Sequence, residues 1–327
     1  MNIVEISNKF PTELHCIEYA EKLRWGKKPK CAYCGSDNLL ARNKDMRHRC
    51  RDCNKSTAVT INTTLHNTRL PLKTWFFAVS IITDAKKGLS ALQLQRNLNI
   101  SYPSAFSIYH KIRGLMAQEN KGIDELSGIV EMDETYIGGK PRKMNDEGFK
   151  PKKRAELDKQ IAELKDEGFN FKPKGKSKAK YAINPKRGRG TDNIPVVGII
   201  ERGGDVVAQV MKTISYDNLK NMVKKYVNED KSVLVTDSLP AYNSMKKIIN
   251  HIKTDHSKLY SYRGVNSNSI ESFWAIIERG IMGQYHSVSP KMLPNYVAEF
   301  VYKYNNRNNN DKMFSEMLKK LVNPITL

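Results

Sequence analysis

Four cysteines fall in one short stretch: Cys31-x-x-Cys34, fifteen residues, then Cys50-x-x-Cys53. Each pair can supply two thiolates from a tight knuckle, and two facing knuckles complete the tetrahedral four-thiolate site that structural Zn²⁺ prefers. Gly35 follows the second cysteine, where a turn wrapped round a metal tolerates little side-chain bulk. A ribbon this small has little core, so the metal carries much of its folding energy. His48 is a substitute ligand at a site that four cysteines already fill. Cys16 stands apart and reads as a small buried apolar residue.

A second set of residues is acidic and widely spaced. Asp133 lies inside the strand-like run Ile129-Val-Glu-Met-Asp-Glu-Thr-Tyr-Ile137, on the face shared with Ile129 and Ile137 by period-two alternation. Asp237 ends the short apolar run Ser232-Val-Leu-Val-Thr-Asp237, at the strand end beyond which ligands gather in open α/β sheets. Glu271 sits in the first turn of the following helix. Ionised carboxylates near a buried strand are costly unless something positive compensates them. Two or three together form the hard-oxygen set that Mg²⁺ favours. Plainer roles stay open for each. Glu131 or Glu134 could be the important acid of the first strand, Asp237 could cap the turn Asp-Ser-Leu-Pro240, and Asn268-Ser-Ile-Glu271 spells a helix capping box.

The elements around these residues fall into a helical part and a strand-rich part. Pro71 opens a helical run that ends near Lys87-Gly88, Ser90 can cap a helix over Ala91–Leu98, and a third helix spans roughly 103–119. A helix, a short turn and a second helix suit DNA reading, with Ser104, Ser107, Tyr109, His110, Lys111 and Arg113 available to phosphates or bases. A plain three-helix bundle fits the same spacing. From residue 129 the period changes to strands: a hairpin pairs Ile194–Ile200 with Asp205–Met211, and a helix over about 216–228 precedes the strand ending at Asp237. Helices over about 268–279 and 289–306 follow, the latter with Pro290 at its start. The architecture is therefore α/β.

Lys and Arg total 55 against 34 acids, a net charge of +21, which favours a polyanionic partner through counterion release. A basic protein with no such partner is the plain alternative. Residues 140–189 hold seventeen Lys and Arg against seven acids, a net +10, so nearly half the excess sits in one insertion. It reads as a nucleic-acid-facing arm with Arg187 and Arg189 near its end and a helix over 154–167, or else as a solvated linker. No apolar run approaches the ~18 residues needed to cross a bilayer, and Met1–Pro11 lacks a secretory layout. The expected location is the cytoplasm, at the nucleoid, where thiols stay reduced.

Several stretches resemble the insertion-sequence transposases with an ISXO-like DDE domain. They are the two-knuckle ribbon, Leu89-Ser-Ala-Leu-Gln-Leu94, Glu131-Met-Asp-Glu-Thr-Tyr-Ile-Gly-Gly139, Val235-Thr-Asp-Ser238, Asn268-Ser-Ile-Glu-Ser-Phe-Trp274 and Tyr285-His-Ser-Val-Ser-Pro290. The resemblance implies an RNase H-like catalytic domain over 126–312 with the basic insertion at 140–190. Before it stand an N-terminal segment and zinc ribbon (1–68) and a helix-turn-helix domain (69–125); a tail (313–327) follows. It implies that Asp133, Asp237 and Glu271 form an acidic triad holding Mg²⁺ or Mn²⁺, with Asn268 in reserve as third ligand. Some such enzymes carry a basic residue seven positions after the glutamate; Glu278 stands there in this chain, leaving Arg279 as the DNA-contacting candidate. His256 and His286 are weaker candidates for approaching DNA. The implied activity is cleavage of terminal inverted repeats and joining to target double-stranded DNA by a homo-oligomer on paired ends. Two other functions use the same parts: an RNase H-like nuclease that does not transpose, and a DNA-binding regulator with a degenerate catalytic domain, which predicts at least one missing acid where all three are present.

Overall fold

The computed structural model describes residues 1–138 apart from residue 124, then 193–254 and 267–324. The expected basic arm at 140–190, Arg187, Arg189, the helix over 154–167 and His256 lie outside the described residues. The described elements belong to one unit, residues 1–137 with 194–327.

After the short ribbon strands β1 (His48–Arg49) and β2 (Ser56–Thr57), alternation of apolar and polar residues along β3 (Leu126–Ile137) buries both faces of a long central strand. Val130 and Met132 point into one apolar cluster, and Ile137 into the other. Antiparallel to β3 runs β4 (Ile194–Glu201), which turns at Arg202-Gly203-Gly204 into β5 (Val206–Val210). Gly203 has φ +80°, a conformation that glycine adopts without strain. Helix α6 (Tyr216–Tyr226), capped by Ser215, buries Leu219, Met222, Val223 and Tyr226 at helical spacing. It returns the chain to β6 (Val227–Thr236), which is parallel to β3, and β7 (Asn250–Lys253) extends the parallel half. The order β5-β4-β3-β6-β7, half antiparallel meander and half parallel, is the α/β, RNase H-like sheet that the resemblance implies.

The other face of the sheet is covered by α7 (Asn268–Gly280) and α8 (Leu293–Asn305). The expected start of α8 at Ser289-Pro290 moves inward to Leu293, with Pro294 in its first turn. Before the ribbon stand α1 (Ile3–Lys9) and α2 (Glu13–Trp25); after it come α3 (Leu72–Asp84), α4 (Ala91–Leu98) and α5 (Tyr102–Glu119). The α4 cap forms as expected, with Ser90 accepting from the Gln93 amide, and α5 is capped in the same way by Ser101, which accepts from the Ser104 amide. Of the expected tail (313–327), the described residues 313–324 are largely helical. Most of α9 (Asn310–Val322) lies there, and its Met313, Phe314, Met317, Leu318, Leu321 and Val322 are built into the core formed by α1, α2, α3 and α5.

Candidate active site

The face of β3 that meets α7 carries Glu131, Asp133 and Thr135, two residues apart. Ser269 and Ile270 donate backbone N–H groups to Glu131 Oε2 at 2.8 and 3.0 Å, Trp274 Nε1 donates to Asp133 Oδ2 at 3.1 Å, and Thr135 Oγ1 donates to Glu278 Oε1 at 3.0 Å. Two strand residues advance about 6.6 Å and four helix residues about 6 Å, so the two elements stay in step over two turns of α7. The chemistry-bearing strand and the helix bearing Glu271 are thereby held in one register.

Asp133 and Asp237 stand side by side, one step past the paired residues Met132 and Thr236 of the parallel strands β3 and β6. Burial pushes the Asp133 carboxyl up to about 7, and the nearby carboxylates of Glu134 and Asp237 push in the same direction; the Glu134 backbone amide and the Trp274 indole oppose them. Asp237 Oδ1 also accepts from the Leu239 amide at 2.9 Å, so it closes the expected turn while keeping its place beside Asp133. Crowded acids of this kind, partly removed from water, favour a bound cation.

Glu271 lies in the first turn of α7, three residues before Trp274, and Ser267 Oγ donates to its Oε1 at 3.2 Å. The expected capping box does not form. The N-cap is Ser267 rather than Asn268, the Glu271 amide that a box would serve bonds to Ser267 O at 3.2 Å, and Glu131 takes the Ser269 and Ile270 amides from across the sheet. Asn268 is exposed at the helix start. Among the described residues the four cysteines are the sole group of three or more His, Cys, Asp or Glu whose ligand atoms lie within 4.8 Å of one another. Asp133, Asp237 and Glu271 do not form such a group. Of the other strand acids, Glu134 points to the opposite face and accepts from Tyr242 Oη at 2.8 Å. Glu131 is fully buried, and its clamp on α7 is the feature that sequence reading missed; a signal existed in its period-two relation to Asp133.

Trp274 owes its position to Gly198, which pairs with Asp133 on β4. A Cβ at Gly198 would lie 2.7 Å from the indole ring and 2.9 Å from Ile270 Cδ1, so the missing side chain is what admits the ring against the sheet.

The cysteine site is closed. Cys31 and Cys53 Sγ atoms are 3.6 Å apart, as are those of Cys34 and Cys50. Sulfurs about 2.3 Å from a tetrahedral Zn²⁺ stand about 3.8 Å apart, so the donor set fits the ion. Gly35 and Asn54, each following the second cysteine of its knuckle, take matching left-handed φ values of +77° and +59°. His48 is no ligand: Nδ1 meets Leu40 O at 2.8 Å and Nε2 meets Glu21 Oε1 at 3.2 Å, which ties the ribbon to α2. Arg42 adds ion pairs to Glu18 and Glu21. Cys16 is buried, and its thiol is pushed up to about 12 by that burial.

The DNA-reading candidates on α5 divide sharply. Ser107 is exposed and Ser104 half-buried, while Lys111 Nζ donates inward to Thr64 O at 2.9 Å. Arg113 is 2% exposed, and the expectation that it faces DNA is wrong. Its guanidinium lies between the Tyr109 and Tyr296 rings, 3.7 Å from each centroid, and bonds Glu299 at 2.7 Å. Tyr109 is also buried and donates to Glu299, which takes Lys303 as a further partner at 2.6 Å. Nothing in α5 alone could reveal this, because the counter-charge comes from α8. Arg279 is exposed, with Nε bonded to Ala275 O of its own helix, and His286 is exposed with Nδ1 at Met282 O. Among the described residues, no helix is long and apolar enough to cross a membrane.

Comparison with known proteins gives two domain matches: a transposase zinc-ribbon domain over residues 11–56 and an ISXO2-like transposase domain over residues 165–305. An uncharacterized protein in transposable element ISH50 of Halobacterium salinarum is 23% identical over 131 residues, 39% of this chain and 43% of that protein. The chain thus spans less than half the length of this curated relative. Among solved structures, a pre-cleavage Mos1 transpososome aligns with 73% of this chain and 76% of its own, at 10% identity and a TM-score of 0.26. The Mos1 strand transfer complex aligns with 75% and 76%, at 10% identity and 0.28. Scores this low leave the fold to be judged from the sheet topology itself.

Proposed function

We propose that this chain, which carries a transposase zinc ribbon and an ISXO2-like transposase domain, is the DNA transposase of an insertion sequence. It binds terminal inverted repeats, cuts a strand at the element end and joins that end to target DNA, acting as a homo-oligomer on paired ends. The observation that carries the catalytic part is that Asp133 and Asp237 each follow directly on the paired residues Met132 and Thr236 of parallel strands, with α7, which bears Glu271, bonded against the same face of β3.

Asp133, Asp237 and Glu271, with Asn268 in reserve, would hold Mg²⁺ or Mn²⁺. The hard-oxygen donors and the raised Asp133 carboxyl fit such ions. Divalent cations bound there supply charge neutralisation at the phosphate and activation of the attacking water or DNA 3′-hydroxyl. The protein's own part is placement. Trp274 occupies one oxygen of Asp133 and fixes its rotamer, the Leu239 amide does the same for Asp237, and the clamp on α7 sets the height of Glu271. No side chain need form a bond to DNA, so Ser238 and Tyr136 are spectators. Ser104, Ser107 and Arg279 remain DNA-contact candidates; the ribbon adds the exposed cations Arg49 and Arg51.

The test is a nicking and joining assay on a duplex ending in the terminal repeat that flanks this reading frame. Expected are a 3′-hydroxyl at the element end in Mg²⁺ and its transfer to target DNA. Nicking without joining would replace this reading with a nuclease, and binding without nicking would replace it with a regulator.

A further inference from the structure

The carboxylate of Glu131 is fully buried and collects five donors. Its Oε1 accepts from Arg202 Nε and Nη2 at 3.1 and 3.0 Å and from Ser269 Oγ at 3.0 Å; its Oε2 accepts from the Ser269 and Ile270 amides. Those two amides are among the first N–H groups of α7, which have no partner within the helix and carry its positive dipole end. Caps of this kind are normally local, drawn from the residue just before the helix. Here Ser267 makes no such bond, and the cap comes from 138 residues earlier in the chain.

The location of this cap matters more than its strength. Glu131 is two residues from Asp133 on the same face of β3, and its two amide donors immediately precede Glu271. One rigid strand therefore holds the first acid directly and the third acid through the first turn of α7. Below it, Trp274 repeats the attachment one turn later on Asp133 itself. Arg202, from the β4–β5 turn, balances the Glu131 charge, so the attachment does not leave an unpaired buried ion.

We infer that Glu131 is a positioning residue of the metal centre: by capping α7 it sets the separation of Glu271 from Asp133 and so the affinity for divalent cations. The inference rests on the triad reading above. A purely structural cap would affect stability and leave the cation affinity of the folded protein unchanged.

The experiment uses the full chain with its zinc bound, at a temperature where every variant is folded. Mn²⁺ binding is followed by electron paramagnetic resonance, and amide exchange is measured at Ser269 and Ile270. Glu131→Gln keeps the size of the side chain but replaces one accepting oxygen with an amino group. It is expected to speed exchange of these two amides and to weaken Mn²⁺ binding by about tenfold or more, the usual scale for losing a group that orients a ligand. Exchange should stay unchanged in β6. Faster exchange with unaltered Mn²⁺ affinity would overturn the inference, and so would unaltered exchange. If Glu131→Gln does not fold, Ser269→Ala decides, since it removes a single bond to the same carboxylate. A several-fold weaker Mn²⁺ affinity supports the inference, and an unchanged one overturns it. Failure of the wild-type chain to bind Mn²⁺ would instead remove the triad reading itself, and is distinguishable because the variants are then not compared.

Discussion

The zinc ribbon and the acidic centre proposed to hold divalent cations are assembled in opposite ways. In the ribbon, four ligands come from two knuckles 22 residues apart at most, and the sulfurs already stand within 4.8 Å of one another. In the acidic centre the proposed ligands come from β3, the residue after β6 and the first turn of α7, and they do not form such a group. Local chain geometry closes the first site. Sheet register, a distant cap and a tryptophan laid over a glycine set up the second. A closed site suits a structural ion, and an open one suits catalysis.

The largest predicted effect separates the two most cleanly. Removing zinc with a chelator, or substituting Cys34→Ser, takes away a binding energy on the order of 10 kcal/mol and should unfold the ribbon while the sheet remains folded. Circular dichroism and zinc analysis check this, with one zinc per chain expected. Next, Asp133→Asn or Asp237→Asn should lower end cleavage about a thousandfold or more, roughly 4 kcal/mol in barrier, with binding to end DNA unchanged in a mobility-shift assay.

Third comes the junction between α5 and α8. Glu299→Gln strands the buried cations Arg113 and Lys303 and should cost about 3 kcal/mol or more near neutral pH, read by denaturant unfolding. Burial alone would raise the Glu299 carboxyl, but Lys303 and Arg113 overcome it and hold the group near 2, against an ordinary 4.5. A depressed carboxyl contributes stability above its unfolded value that is lost as pH falls through the folded one. The gap between wild type and Glu299→Gln should therefore narrow as pH drops from about 4.5 toward 2. Smallest, Gly198→Ala must displace the Trp274 ring and should cost about 1–3 kcal/mol, with a loss of cleavage larger than the loss of stability explains. Unchanged cleavage in folded Gly198→Ala would mean that Trp274 does not hold Asp133.

What sequence made visible follows the same division. The ribbon, the Ser90 cap and the faces of β3 depend on neighbours within a few residues, and all are as their spacing suggests. The α/β sheet was legible because strand periodicity is strong there, whereas the grouping of Asp133 with Asp237 came only from the family resemblance. The misreadings share a cause. Asn268 looked like a cap because local rules favour it, but Glu131 reached the amides first; Arg113 and Lys111 looked available to DNA until partners on other elements claimed them. The apolar spacing of Met313, Phe314, Met317, Leu318 and Leu321 was a readable helix signal that terminal position disguised.

Anomalous diffraction from crystals soaked in Mn²⁺ tests the central claim most directly. The account predicts anomalous density between the Asp133 and Asp237 carboxylates, with Glu271 or Asn268 drawn toward it and loss of the peak in Asp237→Asn. Clear density at the protein's other sites with none between these two aspartates would contradict it.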